Sequence, residues 1–335
     1  MPTLTTQHTD YAAGWQDQAD PIVPPDGEAW RLSGQGLASP QAAGFEQQAA
    51  AGNATILRGQ HDGPVVAARR QHWRIHDLGI TAAASNPNAV GVRCQNTGAK
   101  AQIQRVAFRG LAAAVDIGLV GQALNDNLTL RDWYTAGCGA VLRVRSLQSL
   151  AHYLTNGHSR ADGVIVDVLG GGDVTVDTLD AQSGVTLLRH TADGKQTSDN
   201  NGSFVFRHVN FDWGPATTKI VDQTDPDGTC RVIADRLKWP GERFEEGSLV
   251  GPVAEARLTG PRTSLLIRDH ANLPELLTLR LTQGAEVRID GCRIRRNPEE
   301  LLSGDSTNCR LRVTNSYWRR GSDDWVWVRD GEVRR

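Results

Sequence analysis

Short stretches in which apolar and polar residues alternate recur along most of the chain. Two of them, VRIDGCRI at residues 287–294 and LRVTNSYW at residues 311–318, share one pattern and lie 24 residues apart. When the second apolar residue of each stretch is taken as an anchor, ten anchors are found at steps of 22 to 35 residues. They are Ile75, Ile103, Leu130, Leu154, Val176, Phe206, Val232, Ile267, Ile289 and Val313.

The positions around each anchor also follow a pattern. The residue two before the anchor is apolar except at His152, as a strand with one buried face requires. The residue five after the anchor is apolar in most repeats, which indicates that the chain turns inward again. Between them, two after the anchor, stand corner residues of types that mostly bend the backbone or bond to it. These are Asp77, Arg105, Asp132, Asn156, Thr178, His208, Ala234, Asp269, Gly291 and Asn315.

A second apolar strand follows each corner, for example at residues 140–144 and 163–168. A repeat of this size cannot bury its apolar face alone, so it must stack on its neighbours. The pattern therefore predicts an all-β solenoid of parallel strands with about ten turns, one long domain rather than several.

The recurring I-x-D/N-x-x-I/F pattern, seen at residues 75–80 and 313–318, resembles the right-handed parallel β-helix of the pectate-lyase-like superfamily. That superfamily includes polysaccharide lyases, polygalacturonase-type hydrolases and phage tailspikes, and the tailspikes are the most similar. The resemblance covers roughly residues 65–318 and implies a right-handed parallel β-helix with a short N-terminal helical cap, predicted at residues 40–51. We expect an N-terminal arm and cap at 1–60, the β-helix at 61–321 and a C-terminal cap strand at 322–335.

Composition narrows the choice of partners. The net charge of −2 favours neither nucleic acid nor an anionic membrane as a partner. The five cysteines have no metal-ligand spacing, so we expect small buried side chains, no metal site and no cofactor. The first thirty residues contain no recognisable signal peptide, and no stretch is long enough to insert in a membrane. The expected location is a virion tail if the chain is from a phage, and otherwise the cytoplasm.

Candidate chemistry lies in three polar loops, at residues 191–203, 222–228 and 239–264, which emerge from turns six to eight. Glycoside cleavage needs two carboxylates on either side of the bond, and Asp212 and Glu242 are the candidate catalytic pair. A plain turn around Asp225, a solvated acidic loop around Glu242 and solvated late arginines are the alternatives. The candidate substrate-binding residues are Trp213, Trp239, Asp225, His208, Arg295 and Arg319.

Enzymatic activity is left open. The polygalacturonase-type pattern is absent, and its nearest fragment is Arg293-Ile294-Arg295. The pectate-lyase pattern is also missing, although Asp269-His270 is superficially similar.

The hypothesis favoured by the resemblance is a phage tailspike-like receptor-binding protein that recognises a bacterial surface polysaccharide, with its depolymerisation an open question. A bacterial polysaccharide lyase or glycoside hydrolase and a purely structural virion component are the alternatives. We expect a homotrimer, with other virion tail proteins as further partners. Trp325 and Trp327 share one face of a final strand and either cover the last turn or form a sugar-stacking platform or a subunit contact.

Overall fold

A computed structural model describes most of the chain. The described residues are 6–24, 29–36, 45–68, 72–95, 101–118, 126–146, 149–182, 184–191, 201–212, 216–240, 243–245, 248–250, 253–269, 273–274, 276–303, 308–320 and 324–334.

Within these ranges the chain forms 27 strands and two short helices. The helices are α1 (Phe45–Ala50) and α2 (Pro298–Leu301). The strands are β1 (Thr6–Asp10), β2 (Gly14–Gln18), β3 (Ala29–Ser33), β4 (Thr55–Gly59), β5 (Pro64–Ala68), β6 (Trp73–Ala82), β7 (Val90–Cys94), β8 (Ala101–Arg109), β9 (Ala113–Ile117), β10 (Leu128–Ala136), β11 (Ala140–Val144), β12 (His152–Arg160), β13 (Val164–Val168), β14 (Asp173–Gln182), β15 (Thr186–His190), β16 (Asn201–Asp212), β17 (Thr218–Gln223), β18 (Thr229–Asp235), β19 (Arg243–Glu245), β20 (Ser248–Val250), β21 (Val253–Thr259), β22 (Thr263–Arg268), β23 (Leu276–Thr282), β24 (Glu286–Asp290), β25 (Arg293–Ile294), β26 (Arg310–Arg320) and β27 (Asp324–Arg334).

The strands stack in parallel in each of two compact units, Met1–Val174 and Thr175–Arg335. In the first unit, β1, β3, β6, β8, β10 and β12 are successive neighbours in one sheet, and β5, β7, β9, β11 and β13 in another. In the second unit, β16, β18, β22, β24 and β26 form one sheet, and β15, β17, β21 and β23 the other. The predicted fold, an all-β parallel solenoid of about ten turns, is confirmed.

The anchors lie in register on buried positions. Ile75, Ile103, Leu130 and Leu154 are successive partners in the first unit, and each is fully buried. In the second unit the prediction is wrong at one turn, because Ala234, not Val232, pairs with Phe206 and with Ile267. Both residues are buried on alternate positions of β18, so the apolar pattern alone did not distinguish them.

The corner residues adopt the left-handed backbone conformation, with φ between 47° and 67°. One residue in this conformation turns the strand, and the pairing with neighbouring strands continues beyond it. Among residues with a side chain, Asn and Asp adopt the conformation most readily. Because the anchor moved by two positions, the corner of that turn is Arg236 and not Ala234. The observed corner residues are Asp77, Arg105, Asp132, Asn156, Thr178, His208, Arg236, Asp269, Gly291 and Asn315.

His152, which interrupts the apolar column, is a buried and hydrogen-bonded histidine. The Leu128 N–H donates to its Nδ1 at 3.3 Å. The ring proton is therefore on Nε2, which donates to Ser149 Oγ at 2.5 Å. The polar ring is tolerated in the core because both of its nitrogens have partners.

Buried ion pairs lie on the second sheet of the first unit. Arg93, Asp116, Arg143 and Asp167 occupy one register position on four successive strands. The fully buried Asp116 accepts from Arg93 at 3.2 Å and from Arg145 at 2.9 Å. Each carboxylate is thus compensated by a guanidinium, as burial of charge requires.

The helix α1 lies within the range predicted to be helical, and the preceding residues 37–44 are outside the described part of the chain. Ala49 of the helix packs with Ile56 and Ala107 of the strands, and Trp15 and Tyr134 lie against this cluster. The helix therefore covers outward-facing apolar side chains of the first unit.

The last strand pairs antiparallel with β26, which places Trp327 opposite Tyr317 and Trp325 opposite Arg319. Trp325 and Trp327 are 41% and 53% exposed. These tryptophans therefore present a face to solvent, which favours the platform or contact interpretation over a buried cap.

Candidate functional site

An outward-facing row of side chains crosses the first sheet of the first unit. In register, His8 pairs with Arg31, Arg31 with Arg74 and Arg74 with Gln102. The row continues from Gln102 through Thr129 to Tyr153. We call the six residues His8, Arg31, Arg74, Gln102, Thr129 and Tyr153 the outward row.

The row faces outward because each member after His8 immediately precedes a fully buried residue on its strand. The buried residues are Leu32, Ile75, Ile103, Leu130 and Leu154. Side chains alternate between the faces of a strand, so their predecessors point to solvent. Tyr153 is 49% exposed.

The spacing of the row is set by the backbone. Adjacent strands lie about 4.8 Å apart, so the five steps span roughly 24 Å. The row offers cations at one end, an amide and a hydroxyl in the middle and a phenol ring at the other end. Such a surface matches an extended polymer with many hydroxyl groups, since a ring stacks on the phenol and hydroxyls bond to the polar groups.

Hydrogen bonds hold the basic end of the row in place. Arg74 donates from Nε and Nη2 to Oε1 of Gln102, at 2.9 and 2.7 Å. Arg31 Nε donates to Nε2 of His76 at 2.5 Å. The proton of His76 is therefore on Nδ1, which lies 2.5 Å from Oδ2 of Asp77.

The corner carboxylate Asp77 completes this network. Its pKa is lowered, first by the hydrogen bond from Arg105 and then by the bond from His76, although partial burial opposes the shift. The Arg105 guanidinium donates to both carboxylate oxygens, at 2.5 and 2.7 Å. Asp77 is thus held in its ionised form and orients His76, which in turn orients Arg31.

The structure describes part of the site predicted at turns six to eight. Trp213 and Glu242 lie outside the described residues. Asp212 is half-buried at the end of β16. Trp239 stacks on Phe211 with ring centroids 4.3 Å apart. It stands five residues after the true anchor Ala234, at the inward position, so one face of its ring is occupied by a core residue.

His208 lies at the corner between an acid and a base. Its Nδ1 is 2.9 Å from Oδ1 of Asp177, and Arg236 Nη1 is 2.9 Å from its Nε2. Arginine only donates, so Nε2 accepts and the ring proton is on Nδ1. The order of arginine, histidine and carboxylate is the same as in Arg31, His76 and Asp77. In both histidines Nε2 accepts from an arginine.

Asp225 lies at the other end of β18 from Arg236 and Trp239. The seven residues of β18 extend about 23 Å at 3.3 Å per residue. Asp225 Oδ1 accepts from the Asp227 N–H at 3.0 Å, which is the bonding of a tight turn.

Arg295 and Arg319 follow paired residues, since Arg293 pairs with Tyr317 and Ile294 with Trp318. Both arginines are half-buried. Each follows directly after the last of these pairs, and their proximity stays a prediction, whereas Asp225 is separated from Arg236 and Trp239 by the length of a strand.

Among the described residues, no group of three or more His, Cys, Asp or Glu side chains could hold a metal ion. No described helix has the length and apolar character needed to cross a bilayer. All five cysteines are buried free thiols, as predicted.

No protein-family profile and no curated protein matches the sequence. Among solved structures, the chain is similar to ORF18 of Geobacillus virus E2, with 11% identity and a TM-score of 0.42. The match covers 98% of this chain and 58% of that one, so the chain spans little more than half the length of the viral protein. A likeness of this strength carries no assignment of family or function.

Proposed function

We propose that the chain is a tailspike-like receptor-binding β-solenoid that recognises a bacterial surface polysaccharide along the outward row. The observation that supports the proposal is the in-register sequence of outward-facing guanidinium, amide, hydroxyl and phenol groups on a parallel sheet, of which Arg74 and Tyr153 are exposed and Arg31, Gln102 and Thr129 half-buried. Loops and outward side chains vary freely on such a stack, while the buried columns keep their positions fixed.

Each part of the row has a role in this proposal. The exposed ring of Tyr153 stacks on a sugar ring, and Thr129 and Gln102 bond to its hydroxyl groups. The buried anchors Leu130 and Leu154 hold the two strands that carry Thr129 and Tyr153. A binding surface held in advance loses little conformational entropy when the polysaccharide binds.

The virion setting of the proposal rests on the resemblance of the repeat to tailspikes. A homotrimer is the proposed assembly, with other virion tail proteins as additional partners. The face formed by Tyr317, Trp325 and Trp327 supports association, because large apolar side chains exposed together are typical of contact surfaces.

The binding claim is tested with two tyrosine variants. Tyr153 and Tyr317 are exposed to similar extents, 49% and 45%, but only Tyr153 belongs to the outward row. Wild-type protein, Tyr153→Ala and Tyr317→Ala are applied to an array of bacterial capsular and O-antigen polysaccharides. The mass of each variant is first checked by light scattering, because Tyr317 also belongs to the proposed contact face. At equal mass, wild type and Tyr317→Ala should bind the same polysaccharide, and Tyr153→Ala should bind it at least about tenfold more weakly. Equal binding by the two variants would contradict the role of the row.

Cleavage is a separate proposal that concerns Asp212 and Glu242. A catalytic pair predicts that Asp212→Asn and Glu242→Gln retain binding but release reducing ends orders of magnitude more slowly than wild type. Wild-type release equal to a no-protein control would identify a binding protein without depolymerase activity.

A further inference from the structure

An open cleft of about 380 Å³ lies at the basic end of the outward row. Its polar lining includes His8, Arg31, His72, Arg74 and Gln102. Trp30 and Trp73, each 2% exposed, are also among the residues that line it. The cleft is thus a concave site with basic side chains on rigid strands, separate from the residues predicted from the sequence.

The described residues that line the cleft include no carboxylate, so within that part of the chain the lining does not neutralise the charge of its arginines. The two guanidinium groups belong to Arg31 and Arg74, which are register partners on adjacent strands. Strands are about 4.8 Å apart, so the two positive charges repel one another at short range. Neither arginine makes an ion pair with a carboxylate among the described residues.

The two arginines also have N–H donors beyond those that form the hydrogen bonds described above. The hydrogen bonds to described residues use Nε of Arg31 and both Nε and Nη2 of Arg74. Both Nη groups of Arg31 and Nη1 of Arg74 are not used by these bonds. A guanidinium fork presents such N–H groups in the geometry that carboxylate and phosphate oxygens accept.

We infer that the cleft binds an anionic substituent, a carboxylate or a phosphate, of a polysaccharide that lies along the outward row. This inference rests on the proposed function and adds its ligand class: the recognised polymer is acidic. The anion accepts from Arg31 and Arg74 and relieves their repulsion, while the uncharged part of the polymer continues towards Tyr153.

The test is an array that presents each acidic bacterial polysaccharide beside its carboxyl-reduced form, with polyol phosphate polymers in a separate set. The protein should bind an acidic polymer at least about tenfold more tightly than its neutralised form, because charge-assisted hydrogen bonds are lost. Preference within the carboxylate set or within the phosphate set identifies which anion the cleft takes.

Arg31→Gln and Arg74→Gln should each remove this preference, so that each variant binds the acidic form no more tightly than the carboxyl-reduced form. Arg288→Gln is the matched control, because Arg288 precedes the buried Ile289 as Arg74 precedes Ile75 but pairs with Asp290 at 3.5 Å. Arg31→Lys keeps the charge and checks that the substitutions act through charge and not through folding.

Different results would contradict the anionic cleft and the proposed polysaccharide binding. Equal binding of acidic and neutralised forms, or equal effects of Arg74→Gln and Arg288→Gln, would overturn the anionic cleft and leave polysaccharide binding intact. Absence of binding to every polymer on the array would overturn the proposed function itself.

Discussion

Stacking of the turns leaves very little room at Gly157. A Cβ atom built there would lie 2.7 Å from Cη2 of Trp133, and closer still to Cζ2 and Cε2 of the same ring. Carbon atoms in contact are normally about 3.5 to 4.0 Å apart, so the ring would have to move by about 1 Å or more. Trp133 is 1% exposed and has no space to move into without disturbing its neighbours.

We therefore expect Gly157→Ala to lower the free energy of unfolding by about 3 kcal/mol, the upper part of the range for overpacked cores. Urea denaturation followed by far-UV circular dichroism measures this change. In a Trp133→Leu background the added methyl group has space, so the cost of Gly157→Ala should fall below about 1 kcal/mol. A cost below about 0.5 kcal/mol in the wild-type background, or the same cost in both backgrounds, would refute the packing argument.

Three further predictions concern other parts of the structure. Thr178 is a β-branched residue in the left-handed conformation, with φ 59°, so Thr178→Asn should raise the free energy of unfolding by about 1 kcal/mol. Thr155→Asn, on extended backbone, is the control and should not raise it. A more stable Thr155→Asn variant would contradict the reasoning. Burial raises the pKa of Asp162 although Ser159, Thr135 and the Cys138 N–H bond to it. Its favourable contribution is therefore present below the ordinary value of about 3.9 and is lost as pH rises through the folded pKa. The stability of wild type relative to Asp162→Asn should therefore fall as pH rises above about 4, and a constant difference would contradict this sign. If the C-terminal aromatic face joins copies in a trimer, replacing Trp325 and Trp327 by Ser should convert it to monomers in light scattering; an unchanged mass would place the contact elsewhere.

Much of the fold follows from the sequence because each turn repeats one set of physical requirements. Burial on one face of a strand gives the anchors, and the left-handed corner selects residues such as Asp77 and Asn156. The turn that contains Val232 was displaced by two residues, since Val232 and Ala234 are both buried and the true corner, Arg236, is not a turn-forming type. His152 interrupts the apolar column because its two ring nitrogens form hydrogen bonds with Leu128 and Ser149. These partners cannot be inferred from the spacing of residues along the chain.

The candidate site was harder to predict. The site was predicted at turns six to eight because long loops there contain acidic and aromatic residues. The correct register instead makes Trp239 an inward residue that stacks on Phe211. The outward row had a signal in the sequence, since Arg74, Gln102, Thr129 and Tyr153 each precede an anchor. The part formed by His8 and Arg31 had none, because their strands lie before the repeats, and the pairing of these strands with each other and of β3 with β6 is not marked by any anchor.

Hydroxyl-radical footprinting separates the outward row from every other exposed aromatic site in the described chain. In the single chain Tyr153, Tyr317, Trp325 and Trp327 are all between 41% and 53% exposed, and the oxidation rate of each is compared with and without polysaccharide. When the protein is saturated with the polysaccharide that it binds most tightly on the array, Tyr153 should be protected, whereas Tyr317, Trp325 and Trp327 should keep the rates that they have in the free protein. Protection of the C-terminal aromatics with Tyr153 still reactive would contradict polysaccharide binding along the outward row.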